Sequence, residues 1–361
     1  MKKWITYAAL LIFMNLPATC PADGWDHTVY FDMGAEGENK AMTIWGMGTI
    51  GGAGIMGSGL QNMGVDQIDL VLMPFPVKYP LTGNGKLSSA ARKQIDGDLA
   101  TAKLAGDKPL VISPDTEAGV HDYYLESPGK MDVDRWIDLL AAVGEYVDRP
   151  VAWVMPFNEP DWGQWRQGTV DDLEDIMHGL KKRPVFNSSK MAGPSVLNVD
   201  WAMHWYSGIK SETDVGTMHT LNGSFDSYVD FIEYVKRRGD IPYNPEVHNL
   251  VEVIVGAEYG LQGGIWWLTC SKVRGSFVKA CQGKRLAYEE DRERWSAAAV
   301  YRAPDGSVQA FLGSNERTGQ DTTYRFVCRD RDVYFDGNGP CREYIATIER
   351  DREKMITITC E

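Results

Sequence analysis

An apolar run, Val151–Phe157, ends in Asn158-Glu159-Pro160. The proline stops the run and fixes the turn behind it. A carboxyl group is costly to bury, so a buried strand that delivers one at its end is a candidate for proton transfer. The neighbouring Asn158 amide can hydrogen-bond a substrate hydroxyl. The same three residues would also suit an ordinary solvated strand end. The distinction therefore rests on what the rest of the chain places beside Glu159. Three downstream glutamates compete for the facing position: Glu246, Glu252 and Glu258.

The elements that must position these groups alternate between Thr43 and Leu268. Short apolar runs occur at 41–50, 68–74, 109–113, 151–157, 190–196, 215–221, 241–248 and 264–268. Between them lie stretches with helical spacing, among them Ser88–Leu104, Val133–Val147, Asp171–Lys181 capped by Thr169, Asp200–Ile209, Ser224–Arg238 and Leu250–Tyr259. The segment from Gly51 to Gly64 is glycine-rich and shows no strong helical pattern. Eight such alternations predict an α/β fold, a (β/α)₈ barrel. The alternative is a doubly wound sheet. Gly46-Met47-Gly48-Thr49-Ile50-Gly51 does match the dinucleotide pattern, but no strong helix is expected directly after it, so a nucleotide site is disfavoured.

A (β/α)₈ barrel gathers its active-site residues at the C-terminal ends of the strands. Those ends carry Met73-Pro74, Ser113-Pro114-Asp115, Asn158-Glu159, His219, Glu246-Val247-His248-Asn249 and Trp266-Trp267. The spacing weighs the competing glutamates. Glu258 leaves only five residues before Gly264, too few for a helix, and Glu252 leaves eleven. Glu246 leaves seventeen, room for one short helix before the eighth run, and is preferred.

After about Lys284 the texture changes to short period-two runs separated by turn signals such as Pro304-Asp305-Gly306. The expected division is an export signal over 1–22, a barrel over 23–283 and a small β-sandwich-like module over 284–361. Thr28–Asp32 could add a strand to the module, which reads as minimal or truncated.

The pattern at the strand ends resembles clan A of the retaining glycoside hydrolases. In that clan an Asn-Glu pair after strand four carries the acid/base, a glutamate after strand seven is the nucleophile, and an aromatic after strand eight floors the sugar subsite. By resemblance Glu159 is the acid/base and Glu246 the nucleophile. Asn158 binds the sugar 2-hydroxyl, and Trp266 or Trp267 is the floor. Pro245 directly before Glu246 departs from the usual clan strand. His219 is a candidate to orient a carboxylate or a packed core residue. His248 and Asn249 have a supporting role or cap a helix. Asp115 and His121 are candidates for substrate contact, as are Trp162, Trp165, Trp201 and Trp205. The resemblance implies hydrolysis of a β-linked polysaccharide or oligosaccharide, with an open cleft suited to endo action. The alternative is a glycan-binding barrel without chemistry. An esterase is disfavoured because no Gly-x-Ser-x-Gly elbow is present.

Composition fits this frame. Of 361 residues, 12 are Trp and 16 Tyr, a supply suited to stacking on sugar rings. The net charge of −13 disfavours nucleic acid and anionic membranes as partners, and an acidic polymer unless the cleft is locally basic. Lys2, Lys3 and the apolar stretch Ile5–Leu16 read as an export signal, too short to span a bilayer. A secreted, periplasmic or cell-surface location follows, with Cys20 a loose candidate for lipidation. Export permits disulfides, and proximity suggests Cys270–Cys281 and Cys328–Cys341, although the odd count with Cys360 warns of free thiols. No metal-ligand spacing occurs. The expectation is a monomer without metal or cofactor.

Overall fold

The computed structural model describes residues 24–360 apart from Ala118, so the export signal and Cys20 lie outside the described residues. Eight parallel strands close into a barrel: β1 (Ile44–Gly48), β2 (Leu70–Pro76), β3 (Leu110–Asp115), β4 (Val151–Val154), β5 (Lys190–Asn198), β6 (Val215–Asn222), β7 (Ile241–Val247) and β8 (Gly263–Trp266). One helix follows each: α1 (Gly52–Met63), α2 (Ser89–Ala102), α3 (Val133–Tyr146), α4 (Val170–Leu180), α5 (Ala202–Ile209), α6 (Phe225–Arg238), α7 (Leu250–Tyr259) and α8 (Lys272–Ala280). Leu70, Leu72, Val111, Trp153, Met155 and Tyr243 fill the barrel interior, as packed side chains rather than a pore.

Two helices depart from the sequence expectation. α1 opens directly after Gly46–Gly51, where no strong helix was expected, and α8 follows the eighth strand. Both use glycine for close approach. A Cβ on Gly59 would meet Met47 Cε at 2.4 Å, and one on Gly275 would meet the Asn62 carbonyl at 2.4 Å. Gly275 is thus what lets α8 cross the α1 backbone; Gly59 meets only the flexible end of Met47, the other α1 glycines face open space, and all of them weaken helix propensity. The strand before α1 belongs to a closed barrel, not to a doubly wound sheet.

The C-terminal part is all-β. Six strands pair in the order Lys284–Asp291, Ser296–Arg302, Val308–Ser314, Glu353–Thr359, Val333–Phe335 and Asn338–Cys341. Facing them is a three-stranded sheet of His27–Phe31, Thr322–Cys328 and Glu343–Ile348, so the N-terminal strand belongs here, parallel to Thr322–Cys328. Period-two alternation gives Ser296–Arg302 two buried faces. Ala298 and Val300 enter the sandwich core, while Ala297, Ala299 and Tyr301 join the core around the barrel helices. Gly313 sits against α7, where a Cβ would meet the Val251 backbone nitrogen at 2.6 Å.

The proposed disulfides are not formed. Cys270 and Cys281 are buried free thiols on either side of α8, whose nine residues span about 13 Å at 1.5 Å per residue. Cys328 is likewise a buried free thiol, and its Sγ lies 3.3 Å from Asp330 Oδ1. Among the described residues no helix is long and apolar enough to cross a membrane.

Candidate active site

Glu159 is delivered by the turn after β4. Its backbone is left-handed, φ 54°, a conformation that non-glycine residues hold only when the surroundings enforce it. They do so here. The Glu159 N–H donates to the Ser195 carbonyl at 2.8 Å, and its own carbonyl accepts from Trp162 N–H at 3.0 Å. Asn158 N–H donates to Gln167 Oε1 at 2.8 Å, and Gln167 donates back to the Asn158 carbonyl. Asp161 accepts from the Leu197 and Asn198 N–H groups, tying this turn to β5.

Glu246 comes from β7, and the proline before it is accommodated by an irregularity. The β7–β8 pairing shifts register between Asn244 and Val247, and the Glu246 N–H donates to Asn244 Oδ1 at 3.0 Å instead of to the ladder. Of the three competing glutamates, Glu246 lines the central cavity. Glu252 lies wholly buried in the first turn of α7, accepting from Asn244 Nδ2 at 2.7 Å and from Asn249 N–H at 3.3 Å. Glu258 pairs with Lys40 at 2.9 Å and Arg285 at 3.0 Å.

His219 joins the two carboxyls. Its Nδ1 lies 2.8 Å from Glu159 Oε1 and 3.5 Å from Glu246 Oε2. One ligand-type atom from each of the three residues lies within 4.8 Å of the other two. That spacing would also suit a cation. His219 is fully buried and, among the described residues, its Nε2 has no hydrogen-bond partner, so Nδ1 carries its interactions there.

The carboxyls differ in electrostatics. Burial pushes Glu159 above the ordinary glutamate range, helped by the Glu246 charge and opposed by His219. Burial would push Glu246 up as well, but His219 and His248 overcome it and hold Glu246 below its ordinary value. His248 Nε2 lies 2.9 Å from Glu246 Oε1. Burial disfavours the His248 charge, yet its two carboxylate partners, Glu246 and Glu316, raise it to about 10. One carboxyl is thus biased to hold a proton and its neighbour to be ionised.

Both open onto a cavity of about 920 Å³ that extends across the barrel mouth. Asn158, Asp115, Trp162, Trp165, Trp267 and His248 also line it. Trp267 stacks on His248 with ring centroids 5.8 Å apart. Trp266 does not line it. It is fully buried, stacked on Trp45 at 5.8 Å, because consecutive residues at a strand end face opposite sides. His121 caps a short 3₁₀ turn by accepting from Tyr123 N–H, Trp205 packs on the core, and Trp201 is exposed outside the cavity lining. Asn249 is the N-cap residue of α7.

Sequence reasoning missed the α2 wall of the cavity and the sandwich loop. Asp98 on α2 accepts from Thr49 Oγ1 at 2.9 Å, and burial with the nearby Asp115 charge raises it to about 6. Glu316 and Arg317 come from the loop after Val308–Ser314. Asp98 lies on a face of a helix recognised in the sequence, and only its position near the C-terminal strand ends could have marked it. Nothing local marked Glu316.

No protein-family model matches the chain, and no curated protein matches its sequence. Solved structures do share the fold. The GH30 endoxylanase from Clostridium papyrosolvens C71 superposes with TM-score 0.56 at 11% identity, covering 92% of this chain and 100% of that one. An endo-beta1,6-glucanase gives 0.56 at 9%, covering 94% and 96%. A protein from Neocallimastix frontalis gives 0.55 at 12%, covering 92% and 99%. These likenesses extend over barrel and sandwich together, and at such identities they concern the fold.

Proposed function

We propose that this chain is a retaining glycoside hydrolase acting on a neutral β-linked polysaccharide, exported and endo-acting, with Glu159 as acid/base and Glu246 as nucleophile. The observation that carries this reading is the pair of buried carboxyls at the ends of β4 and β7, biased in opposite directions and meeting at His219. Opposed pKa values in one site assign acid and base roles. An oxygen-to-oxygen approach within 4.8 Å favours direct attack by Glu246 over an intervening water, which requires carboxyls roughly 6.5–9.5 Å apart.

In the first step the Glu159 proton passes to the glycosidic oxygen as the bond to the anomeric carbon breaks, and a Glu246 oxygen bonds to that carbon. In the second, Glu159, now ionised, takes a proton from water. The water oxygen bonds to the anomeric carbon and Glu246 leaves as carboxylate. His219 Nδ1, 2.8 Å from Glu159 Oε1, orients the acid/base carboxyl. Trp267 offers a ring face at the floor, and Asn158 an amide beside the acid.

The wall chemistry supports a neutral substrate. Asp98, Asp115 and Glu117 line the cavity with the two catalytic carboxyls, against Lys93, Arg317 and His248. The cleft is therefore not the locally basic one that an acidic polymer would need. The size and openness of the cavity support several sugar rings and endo action. A non-catalytic barrel would have no use for two desolvated carboxyls of opposed bias. The test is a polysaccharide panel with product sizing, run on wild type, Glu159→Gln and Glu246→Gln. Hydrolysis that survives in both variants would sink the assignment.

A further inference from the structure

The sandwich reaches the active site through one loop. Asn315–Thr318 connects Val308–Ser314 to the strand Thr322–Cys328 and arrives at the barrel mouth. Asn315 Oδ1 accepts from the Arg317 N–H at 2.9 Å and the Thr318 N–H at 3.0 Å, and Arg350 Nε donates to the Glu316 carbonyl at 3.1 Å. Two residues before Asn315, Gly313 lies flush against α7, the helix that begins just after His248. The loop is therefore held from both sides. From it Glu316 Oε1 lies 3.3 Å from His248 Nδ1, and the other nitrogen of that imidazole lies 2.9 Å from Glu246 Oε1.

We propose that Glu316 is a positioning residue for the nucleophile, acting through His248, so that the sandwich is part of the active site rather than an appendage. The inference rests on the reading of Glu246 as nucleophile. A carboxylate on each side of one imidazole fixes the ring plane and places an N–H on Glu246. Trp267 stacked on one face of the ring limits its tilt. The resulting charge-assisted chain, Glu316–His248–Glu246, restricts Glu246 rotation and keeps it ionised. The electrostatics agree: the His248 bond holds Glu316 at about 2.

Other charges face His248. Glu252 on α7 favours its protonation and His219 on β6 opposes it. Arg317, paired with Glu316 at 3.1 Å, tempers the Glu316 charge, and Arg274 on α8 holds the His248 carbonyl. Of the carboxylates here, Glu316 and Glu246 touch the ring, so removing Glu316 takes away one of its two direct anionic partners.

The test uses the full chain with Glu316→Gln and Glu316→Asp. Readouts are kcat and KM on a glycan that the wild type hydrolyses, the His248 imidazole titration by NMR, and the melting temperature. Misplacing a reacting group by about 1 Å costs up to roughly 100-fold in rate, so kcat should fall about 10- to 100-fold with KM nearly constant. The His248 titration should move from about 10 toward the ordinary histidine value of about 6.5. Glu316→Asp, which keeps the charge but is shorter, should fall between. An unchanged kcat or unmoved His248 titration in Glu316→Gln, with the wild type active, overturns this proposal alone. A wild type that hydrolyses no glycan sinks it together with the reading beneath it. A loss matched by a large drop in melting temperature, with the His248 titration unmoved, assigns Glu316 to packing and also overturns it.

Discussion

Replacing Glu159 with glutamine separates chemistry from folding. Glu159 is 1% exposed, and its Oε1 lies within hydrogen-bond distance, 2.8 Å, of His219 Nδ1. Glutamine keeps an oxygen for that bond and removes the titrating group. General acid catalysis contributes about 10²- to 10⁴-fold, or about 2.7–5.5 kcal/mol, so hydrolysis of an ordinary glycan should fall by that factor. A substrate with an activated leaving group needs little protonation, so its first step should survive and the covalent intermediate should accumulate. Azide, a nucleophile that needs no base, should then restore turnover. Stability should move the opposite way. The folded-state pKa of Glu159 lies above its unfolded value. Its favourable contribution is therefore fully present below about pH 4.3, the unfolded value, and is lost as pH rises through the folded pKa. By pH 7 the unfolded carboxyl is ionised, whereas the folded one can ionise only as a buried charge that the amide avoids. Each unit of raised pKa corresponds to about 1.4 kcal/mol, and a chain of this length gains on the order of 1.4 °C in melting temperature per kcal/mol. Glu159→Gln should therefore melt higher than wild type at pH 7, and the difference should vanish near pH 4. Equal losses on activated and ordinary substrates would refute the acid role. A lower melting temperature at pH 7 would refute the argument from burial.

The pH dependence of kcat/KM should be bell-shaped. Its acid limb should reflect Glu246, held below the ordinary range, and its alkaline limb Glu159, raised above it, so a profile with both limbs inside the ordinary glutamate range would count against the assignment. Glu252→Ala should strand the buried Asn244 amide and cost about 1–3 kcal/mol, read as a lower melting temperature, while Glu252→Gln should retain kcat within a fewfold. Trp267→Ala should raise KM roughly fivefold for about 1 kcal/mol of lost stacking, whereas Trp266→Ala should act on stability through the Trp45 stack. Gly313→Ala should lower both stability, by about 1–3 kcal/mol, and kcat, because the added methyl meets the α7 backbone that the Glu316 loop depends on.

The barrel was legible because each of its buried strands reads as a short apolar run and most of its helices carry an apolar stripe. Counting runs placed Glu159 at the fourth and Glu246 at the seventh. What resisted reading has specific causes. α1 was hidden because its four glycines erase the helical signal, and α8 in part because Gly275, which lets it cross α1, weakens the same signal. Trp266 and Trp267 could not be told apart from sequence, since a shift of one residue at a strand end reverses the face. The disulfide pairing failed because sequence proximity ignored the helix lying between Cys270 and Cys281. Glu316 sits 70 residues beyond Glu246 in the other sheet system, and only the docking of the sandwich on α7 brings it to His248.

The covalent role proposed for Glu246 is open to direct chemical trapping. A 2-deoxy-2-fluoro glycoside with an activated leaving group, matched to the hydrolysed sugar, slows the release step more than the attack and traps the intermediate. One adduct is expected, located by mass spectrometry on the peptide carrying Glu246 and absent in Glu246→Gln. An adduct on Glu252, or no adduct with an inverted anomer as the first product, would contradict it.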